Sequence, residues 1–133
     1  MYNQYDKQID QLISKLTLKE KIGQLNQITG PLSEDQIEGI KESIRNGEVG
    51  SIILASSSTA GNDEQGHVNV ELYNDLQRVA VEESRTKIPM IYGRDVIHGH
   101  RTVYPIPLAS AAAFNPELIE KCYRNIAKEA IAD

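Results

Sequence analysis

Aromatic and sulfur-containing side chains are scarce in this 133-residue sequence, which has no tryptophan, one phenylalanine and one cysteine. The single cysteine, Cys122, cannot form an intrachain disulfide, so a disulfide-stabilised scaffold is excluded. The few aromatic rings provide little of the stacking surface that single-stranded nucleic acids need. Because no stretch reaches the roughly 18 consecutive apolar residues of a membrane-spanning helix, we predict no membrane partner.

Positive charge is also in short supply: 14 Lys and Arg residues face 19 Asp and Glu residues, which gives a net charge of −5. Since there is no basic stripe to neutralise phosphates, we predict no nucleic-acid partner. Gly61 and Gly66 are too far apart for a phosphate loop, and we predict no cofactor. Residues 1–11 are polar and lack the apolar core of a signal peptide, so we predict a cytoplasmic protein, or a periplasmic or secreted one if a signal was removed.

Three helices are predicted in residues 1–48. One apolar face of the first consists of Ile9, Leu12, Ile13 and Leu16. A capping box at residues 17–20 begins the second helix, which we expect to end at Gly30. Its predicted buried side chains are Ile22, Leu25 and Ile28. A further capping box at residues 33–36 begins the third helix, and Gly47 suits the left-handed conformation that often follows a helix.

Strands and helices alternate from residue 49 onward. Residues 50–55 and 88–92 form short apolar runs of strand length. The helix between them has a predicted buried face of Leu72, Leu76, Val79 and Ala80. Asn115 and Pro116 begin the last helix, one side of which carries Ile119, Tyr123, Ile126 and Ala130. This order predicts an α/β fold with parallel strands and crossover helices.

The number of strands is too small for a complete sheet. A sheet of two parallel strands leaves both edges unpaired, so we expect residues 1–133 to be the first, incomplete part of a (β/α)8 barrel of about 250 residues. Residues 1–48 would be leading helices and residues 49–133 the first two βα units. Alternatively, the chain is a non-catalytic module that self-associates through its open sheet edges. A small ligand-binding α/β protein is a third hypothesis, which requires a further strand.

Ionisable side chains are concentrated at the end of the second predicted strand. They are Arg94, Asp95, His98, His100 and Arg101. In α/β folds, ligands bind beyond the carboxyl ends of the parallel strands, where the polar loop at residues 56–67 also falls. A rigidly held Asp95 carboxylate can accept hydrogen bonds from two neighbouring hydroxyls of a polyol. The alternative is that Asp95 caps the following turn.

The neighbours of Asp95 have more ordinary interpretations. His98 and His100 form an H-x-H pair, but no third ligand stands at a suitable spacing, so we predict no metal site and a hydrogen-bonding role in the loop. Gly93 and Gly99 indicate close backbone approach or positive φ. Arg94 and Arg101 are expected to pair with Asp95 or with helix C-termini, and Cys122 is expected to be a core residue.

Five stretches carry a family resemblance: residues 16–25, 50–54, 74–78, 80–85 and 95–105. Together they resemble the N-terminal barrel domain of the glycoside hydrolase family 3 β-glucosidases and β-xylosidases. The last stretch, which reads DVIHGHRTVYP, is the most specific. Two positions depart mildly from the family pattern, with His100 where Tyr is common and Tyr104 where Phe is common.

The resemblance implies a retaining hydrolase that acts on β-linked glucosides or oligosaccharides. Asp95 matches the family's aspartate that binds sugar hydroxyls in the −1 subsite, and we assign His98 and Arg101 to the same substrate-binding set. Retaining hydrolysis needs two carboxyl groups about 5–5.5 Å apart, one as nucleophile and one as acid/base. The family's counterparts lie on later strands or beyond the barrel. We therefore expect no catalytic residue in this chain, and no activity from it alone.

Overall fold

The computed structural model describes residues 5–31, 34–54 and 69–132. The helices are α1 (Asp6–Lys15), α2 (Leu18–Gln24), α3 (Ile37–Arg45), α4 (Val70–Arg78), α5 (Pro107–Ala111) and α6 (Pro116–Ile131). The strands are β1 (Gln27–Thr29), β2 (Ser51–Leu54) and β3 (Ile91–Arg94). They form a parallel sheet in the order β1-β2-β3, which confirms the α/β class. The loop predicted at residues 56–67 lies outside the described residues.

Strand β1 was predicted as the end of a helix, and that prediction is wrong. Helix α2 ends at Gln24, and its expected core residues Ile22 and Leu25 are 59% and 87% exposed. The amides of Gly50 and Ser51 both donate to the carbonyl of Asn26, at 3.1 and 3.3 Å. These bonds place residues 27–29 beside β2, where they form the strand β1. The described sheet therefore has three strands instead of the two predicted.

Strand β3 begins three residues later than predicted, at Ile91 instead of Ile88. Directly before β3, the side chain of Gln77 bonds both backbone groups of Met90. Its Oε1 accepts from the Met90 amide at 2.9 Å, and its Nε2 donates to the Met90 carbonyl at 3.4 Å. Pairing with the neighbouring segment begins at Ile91, whose amide donates to the carbonyl of Gly50, directly before β2. The predicted strand at residues 50–55 contains the observed β2.

The helix predictions vary in accuracy. Helix α6 begins as predicted, with Asn115 Oδ1 accepting from the Leu118 amide at 3.0 Å and Pro116 in the first turn. Gly47 has φ 67°, as predicted for the residue after α3. A 3-10 turn, Glu34–Gln36, precedes α3, and Ser33 of the predicted capping box lies outside the described residues.

The first predicted helix is confirmed as α1, although its apolar face is largely exposed. The apolar side chains Ile9, Leu12 and Ile13 are 41–49% exposed, and α1 buries none of its residues. Helix α5 was not predicted from the sequence; it begins at Pro107, and proline is well suited to the first turn of a helix. Within the described ranges, no helix has the length and hydropathy that a membrane crossing requires.

Helix α4 continues directly into a π-helical turn, Val79–Glu83. The turn closes with the amide of Ser84 donating to the carbonyl of Val79 at 3.0 Å, five residues back. Val79, Ala80 and Ser84 are all buried, and the Ser84 hydroxyl donates to the carbonyl of Ala80. The predicted buried face around Leu76, Val79 and Ala80 is confirmed.

The chain divides into two compact units. The first comprises Met1–Ile52 and Val70–Tyr92, and the second comprises Ile53–Asn69 and Gly93–Asp133. The buried hydrophobic residues of the first unit are Ile44, Val49, Ile52, Leu76, Val79, Ala80 and Met90. In the second unit, Ile126 of α6 is the most buried hydrophobic residue among those described.

Among the described residues of the first unit, Glu20 is the buried charged residue, with 7% of its surface exposed. Its carboxylate accepts from the Thr17 amide at 2.8 Å, which completes the predicted capping box at the start of α2. Arg85, 65 residues later, donates its Nε to Glu20 Oε1 at 2.7 Å and its Nη2 to Oε2. These bonds lower the pKa of Glu20 from 4.5 to about 2, and the hydrogen bond from Arg85 is the largest cause.

We predict that Glu20→Gln destabilises the fold in a pH-dependent way. Because the folded-state pKa of Glu20 is depressed, its ionised form stabilises the fold fully above about pH 4.5 and loses that effect as the pH falls toward 2. The difference in unfolding midpoint between wild type and Glu20→Gln, measured by denaturant titration, should therefore shrink between pH 5 and pH 2.5.

Glu48→Gln is the matched control, because the Lys19–Glu48 ion pair joins side chains that are 67% and 39% exposed. Its midpoint should stay close to that of wild type at every pH. A wild-type-minus-Glu20→Gln difference that is constant from pH 5 to pH 2.5 would contradict the assigned role of the Glu20 carboxylate.

Candidate functional site

The candidate site lies in the second unit, at the carboxyl end of β3. Asp95 is the first residue after that strand, and its side chain is exposed. It lines a cavity of about 470 Å³ together with Ile53, Arg94, Val96, Ile97, Tyr123, Ile126 and Ala127. The carboxylate thus occupies the strand-end position that the sequence predicted, beside a cavity whose other lining residues are mainly apolar.

The Asp95 carboxylate also takes part in the turn that follows β3. Its Oδ1 accepts from the Ile97 amide at 3.3 Å, a long hydrogen bond of the kind that Asp makes to its own backbone two residues on. The turn-capping alternative is therefore observed, but it uses one of the two carboxylate oxygens. The other carboxylate oxygen of Asp95, at the edge of the cavity, can accept a hydrogen bond from a hydroxyl group of a ligand.

The loop after Asp95 folds back on itself around Gly99. Gly99 and Val103 form an isolated antiparallel bridge, and the Tyr104 amide donates to the carbonyl of His98 at 2.7 Å. Gly99 has φ 136°, where a side chain would be strained, and a Cβ built there would collide with the Thr102 carbonyl oxygen. Positive φ and close backbone approach are both confirmed at Gly99, whereas the atom nearest a Cβ built at Gly93 is a side-chain atom, Ile53 Cδ1 at 3.3 Å, so close backbone approach is not observed there.

The two histidines of the H-x-H pair differ in exposure. His98 is half-buried in the loop, whereas His100 is 3% exposed. Across residues 5–31, 34–54 and 69–132, no group of three or more His, Cys, Asp or Glu side chains is arranged to hold a metal ion. Arg101 is exposed, and Cys122 has intermediate exposure.

Helix α6 holds this loop at two places, which sequence reasoning missed. The Tyr123 hydroxyl donates to the carbonyl of Ile97 at 3.1 Å. The Glu129 carboxylate accepts from the amides of Arg101 and Thr102 at 3.1 and 3.0 Å, and from the Thr102 hydroxyl at 2.6 Å. The available signal was spacing, because Glu129 follows the buried Ile126 by three residues and so lies on the same side of the helix.

These bonds lower the pKa of Glu129 below its ordinary value of 4.5. The largest cause is the Thr102 hydroxyl, followed by the Thr102 amide, while burial acts in the opposite direction. The Arg101 amide and the charge of His100 make smaller contributions in the lowering direction. The loop therefore favours the ionised form of a carboxylate that belongs to a different element.

Comparison with known proteins gives a consistent picture. The profile of the glycosyl hydrolase family 3 N-terminal domain matches residues 17–133. The periplasmic β-glucosidase of Salmonella typhimurium is 36% identical over 126 residues, which are 94% of this chain and 15% of that protein. The lysosomal β-glucosidase of Dictyostelium discoideum is 31% identical over 93% of this chain and 17% of its own length. The chain thus spans about a sixth of the length of these relatives.

We predict that Gly99→Ala opens the loop after β3, because alanine is strained at this φ and its methyl group would meet the Thr102 carbonyl. Hydrogen exchange of the Tyr104 amide, which bonds His98, should accelerate by about tenfold or more. Gly39→Ala is the control, since Gly39 lies in α3 with no atom within 4 Å of a built Cβ. That variant should gain about 0.5–1 kcal/mol of stability and leave Tyr104 unchanged. Unaltered exchange in Gly99→Ala would show that the loop tolerates a side chain.

Proposed function

The chain belongs to glycosyl hydrolase family 3, and we propose that it forms the opening part of the barrel domain of a retaining β-glucosidase-like hydrolase. The parallel order β1-β2-β3 supports this proposal, because a (β/α)8 barrel begins with neighbouring parallel strands. In the proposed barrel, residues 1–48 form the leading segment, which also contains the strand β1, and residues 49–133 contribute two βα units. Further units would close the sheet.

The position of Asp95 carries the functional proposal. Its carboxylate stands immediately beyond β3 at the edge of a cavity of about 470 Å³. Active sites of (β/α)8 enzymes are built at this end of the strands. We assign Asp95 to the hydroxyls of the nonreducing-end sugar in the −1 subsite, with His98 and Arg101 as further substrate-binding residues on the loop that follows.

The chemistry itself requires groups from elsewhere in the enzyme. A retaining mechanism uses one carboxylate as nucleophile and a second carboxyl group as acid/base, and it needs no cofactor. We assign neither role to a residue of this chain. Residues 1–133 alone should therefore lack hydrolytic activity, while the longer enzyme hydrolyses a substrate that they help to hold.

The names of two relatives support a proposal for the substrate class. Both are named β-glucosidases, so we propose a β-linked glucoside or oligosaccharide as the substrate. Their names also place those proteins in the periplasm and the lysosome. A compartment outside the cytoplasm, the alternative considered from the sequence, is therefore the location that we propose.

Asp95→Asn should lower kcat/KM for an aryl β-glucoside in the protein expressed from the complete reading frame. Hydrogen bonds to a charged acceptor contribute about 1.5–3 kcal/mol, so the loss should be roughly 10- to 150-fold. Asp10→Asn is the control, because Asp10 is exposed on α1. Equal rates in wild type and Asp95→Asn would remove Asp95 from the mechanism, and an inactive wild type would refute the hydrolase proposal.

A second candidate, a self-associating module, is favoured by the two outer strands of the sheet. In the described sheet, β1 and β3 each have one neighbour, which leaves one edge of each strand without a partner strand. This candidate predicts a defined oligomer of residues 1–133 by size-exclusion chromatography with light scattering, and a reading frame that stops after Asp133. A well-folded monomer would eliminate it.

A further inference from the structure

The contacts from α6 bracket the loop that carries the proposed substrate-binding residues. Tyr123 bonds the carbonyl of Ile97, directly before His98. Glu129 bonds the amides of Arg101 and Thr102, inside the turn that the bridge between Gly99 and Val103 closes. The loop is thus held by the same helix at two points, directly before His98 and at the turn formed by Arg101 and Thr102.

The two contacts differ in strength. Tyr123 provides one neutral hydrogen bond, whereas a single carboxylate at Glu129 accepts three hydrogen bonds from two adjacent residues. Charge-assisted hydrogen bonds are about twice as strong as neutral ones. A carboxylate that binds two consecutive amides and a hydroxyl also fixes the orientation of the turn and not only its distance from the helix.

We propose that Glu129 is a positioning residue of the substrate site: it holds the turn at Arg101 and Thr102 so that Arg101, and His98 across the Gly99–Val103 bridge, stay in place for the sugar. This inference rests on the proposed function of that site. Glu129 acts through the loop backbone and is not assigned a contact with substrate. The depressed pKa of Glu129 is consistent with this geometry, since the turn favours the ionised acceptor.

Three variants and a control test the proposal in the protein expressed from the complete reading frame. Glu129→Ala removes all three bonds. Glu129→Gln preserves the shape and can still accept from the amides while donating to the Thr102 hydroxyl, but it has no charge. Thr102→Val removes the hydroxyl bond alone. Glu120→Ala is the control, because Glu120 lies on the same helix and pairs with Arg124 at the surface, at 2.5 Å.

The first measurement is hydrogen exchange of the Arg101 and Thr102 amides. We expect exchange to accelerate by about tenfold or more in Glu129→Ala, less in Glu129→Gln, and not at all in Glu120→Ala. Unchanged exchange in Glu129→Ala overturns the proposal, whether or not the protein is a hydrolase. If Glu129→Ala fails to fold, unchanged exchange in both Glu129→Gln and Thr102→Val overturns it.

The second measurement is the steady-state hydrolysis of an aryl β-glucoside. A displaced loop weakens substrate binding, so KM should rise by about tenfold in Glu129→Ala, with partial rescue in Glu129→Gln. A purely structural role would reduce the active fraction, which lowers apparent kcat at unchanged KM. Unchanged KM in folded Glu129→Ala therefore overturns the proposal. If wild type is inactive and Asp95→Asn is no different, the proposed function fails, while amide exchange still reports on the contact from Glu129 to the loop.

Discussion

The ion pair between Glu20 and Arg85 is the constraint on which the first unit depends. A buried carboxylate is costly unless it is paired and hydrogen-bonded, and Glu20 satisfies both conditions through Arg85 and its own helix cap. The pair connects the start of α2 to the segment that follows the π-helical turn, 65 residues away. That segment leads into β3, so the ion pair constrains the stretch of chain that precedes the strand ending beside Asp95.

Several side-chain hydrogen bonds fix the backbone between Arg85 and the start of β3. The Ser84 hydroxyl bonds the carbonyl of Ala80 and accepts from the amide of Lys87, which has φ 56°. Gln77 then binds both backbone groups of Met90, and regular pairing starts at Ile91. These bonds fix the residue at which β3 begins, and with it the register of β3 against β2.

The features predicted correctly from the sequence are those that local chemistry decides. The Thr17–Glu20 capping box, the Asn115 cap and the left-handed Gly47 each depend on residues within four positions of one another. Strand β1 could not be predicted in this way, because Ile28 continues the helical spacing of Ile22 and Leu25, whereas the strand that pairs with residues 27–29 is β2, Ser51–Leu54, much later in the chain. In the candidate site, too, local features could be predicted and long-range contacts could not. Asp95 follows from strand order, whereas the contacts of Tyr123 and Glu129 join residues 26–28 positions apart.

The π-helical turn Val79–Glu83 has a consequence for how this chain can change in length. Surface connections usually tolerate insertions and deletions, because the elements on either side keep their contacts. Removing one residue from this turn would replace the bond between the Ser84 amide and the Val79 carbonyl, five residues back, by the four-residue bond of an ordinary α-helix. Because the same amide and carbonyl can stay paired, Ser84 and Arg85 would keep nearly the same direction from the helix axis. The wide turn therefore gives this buried segment room to lose one residue, and we expect a chain that lacks one residue here to keep Arg85 beside Glu20.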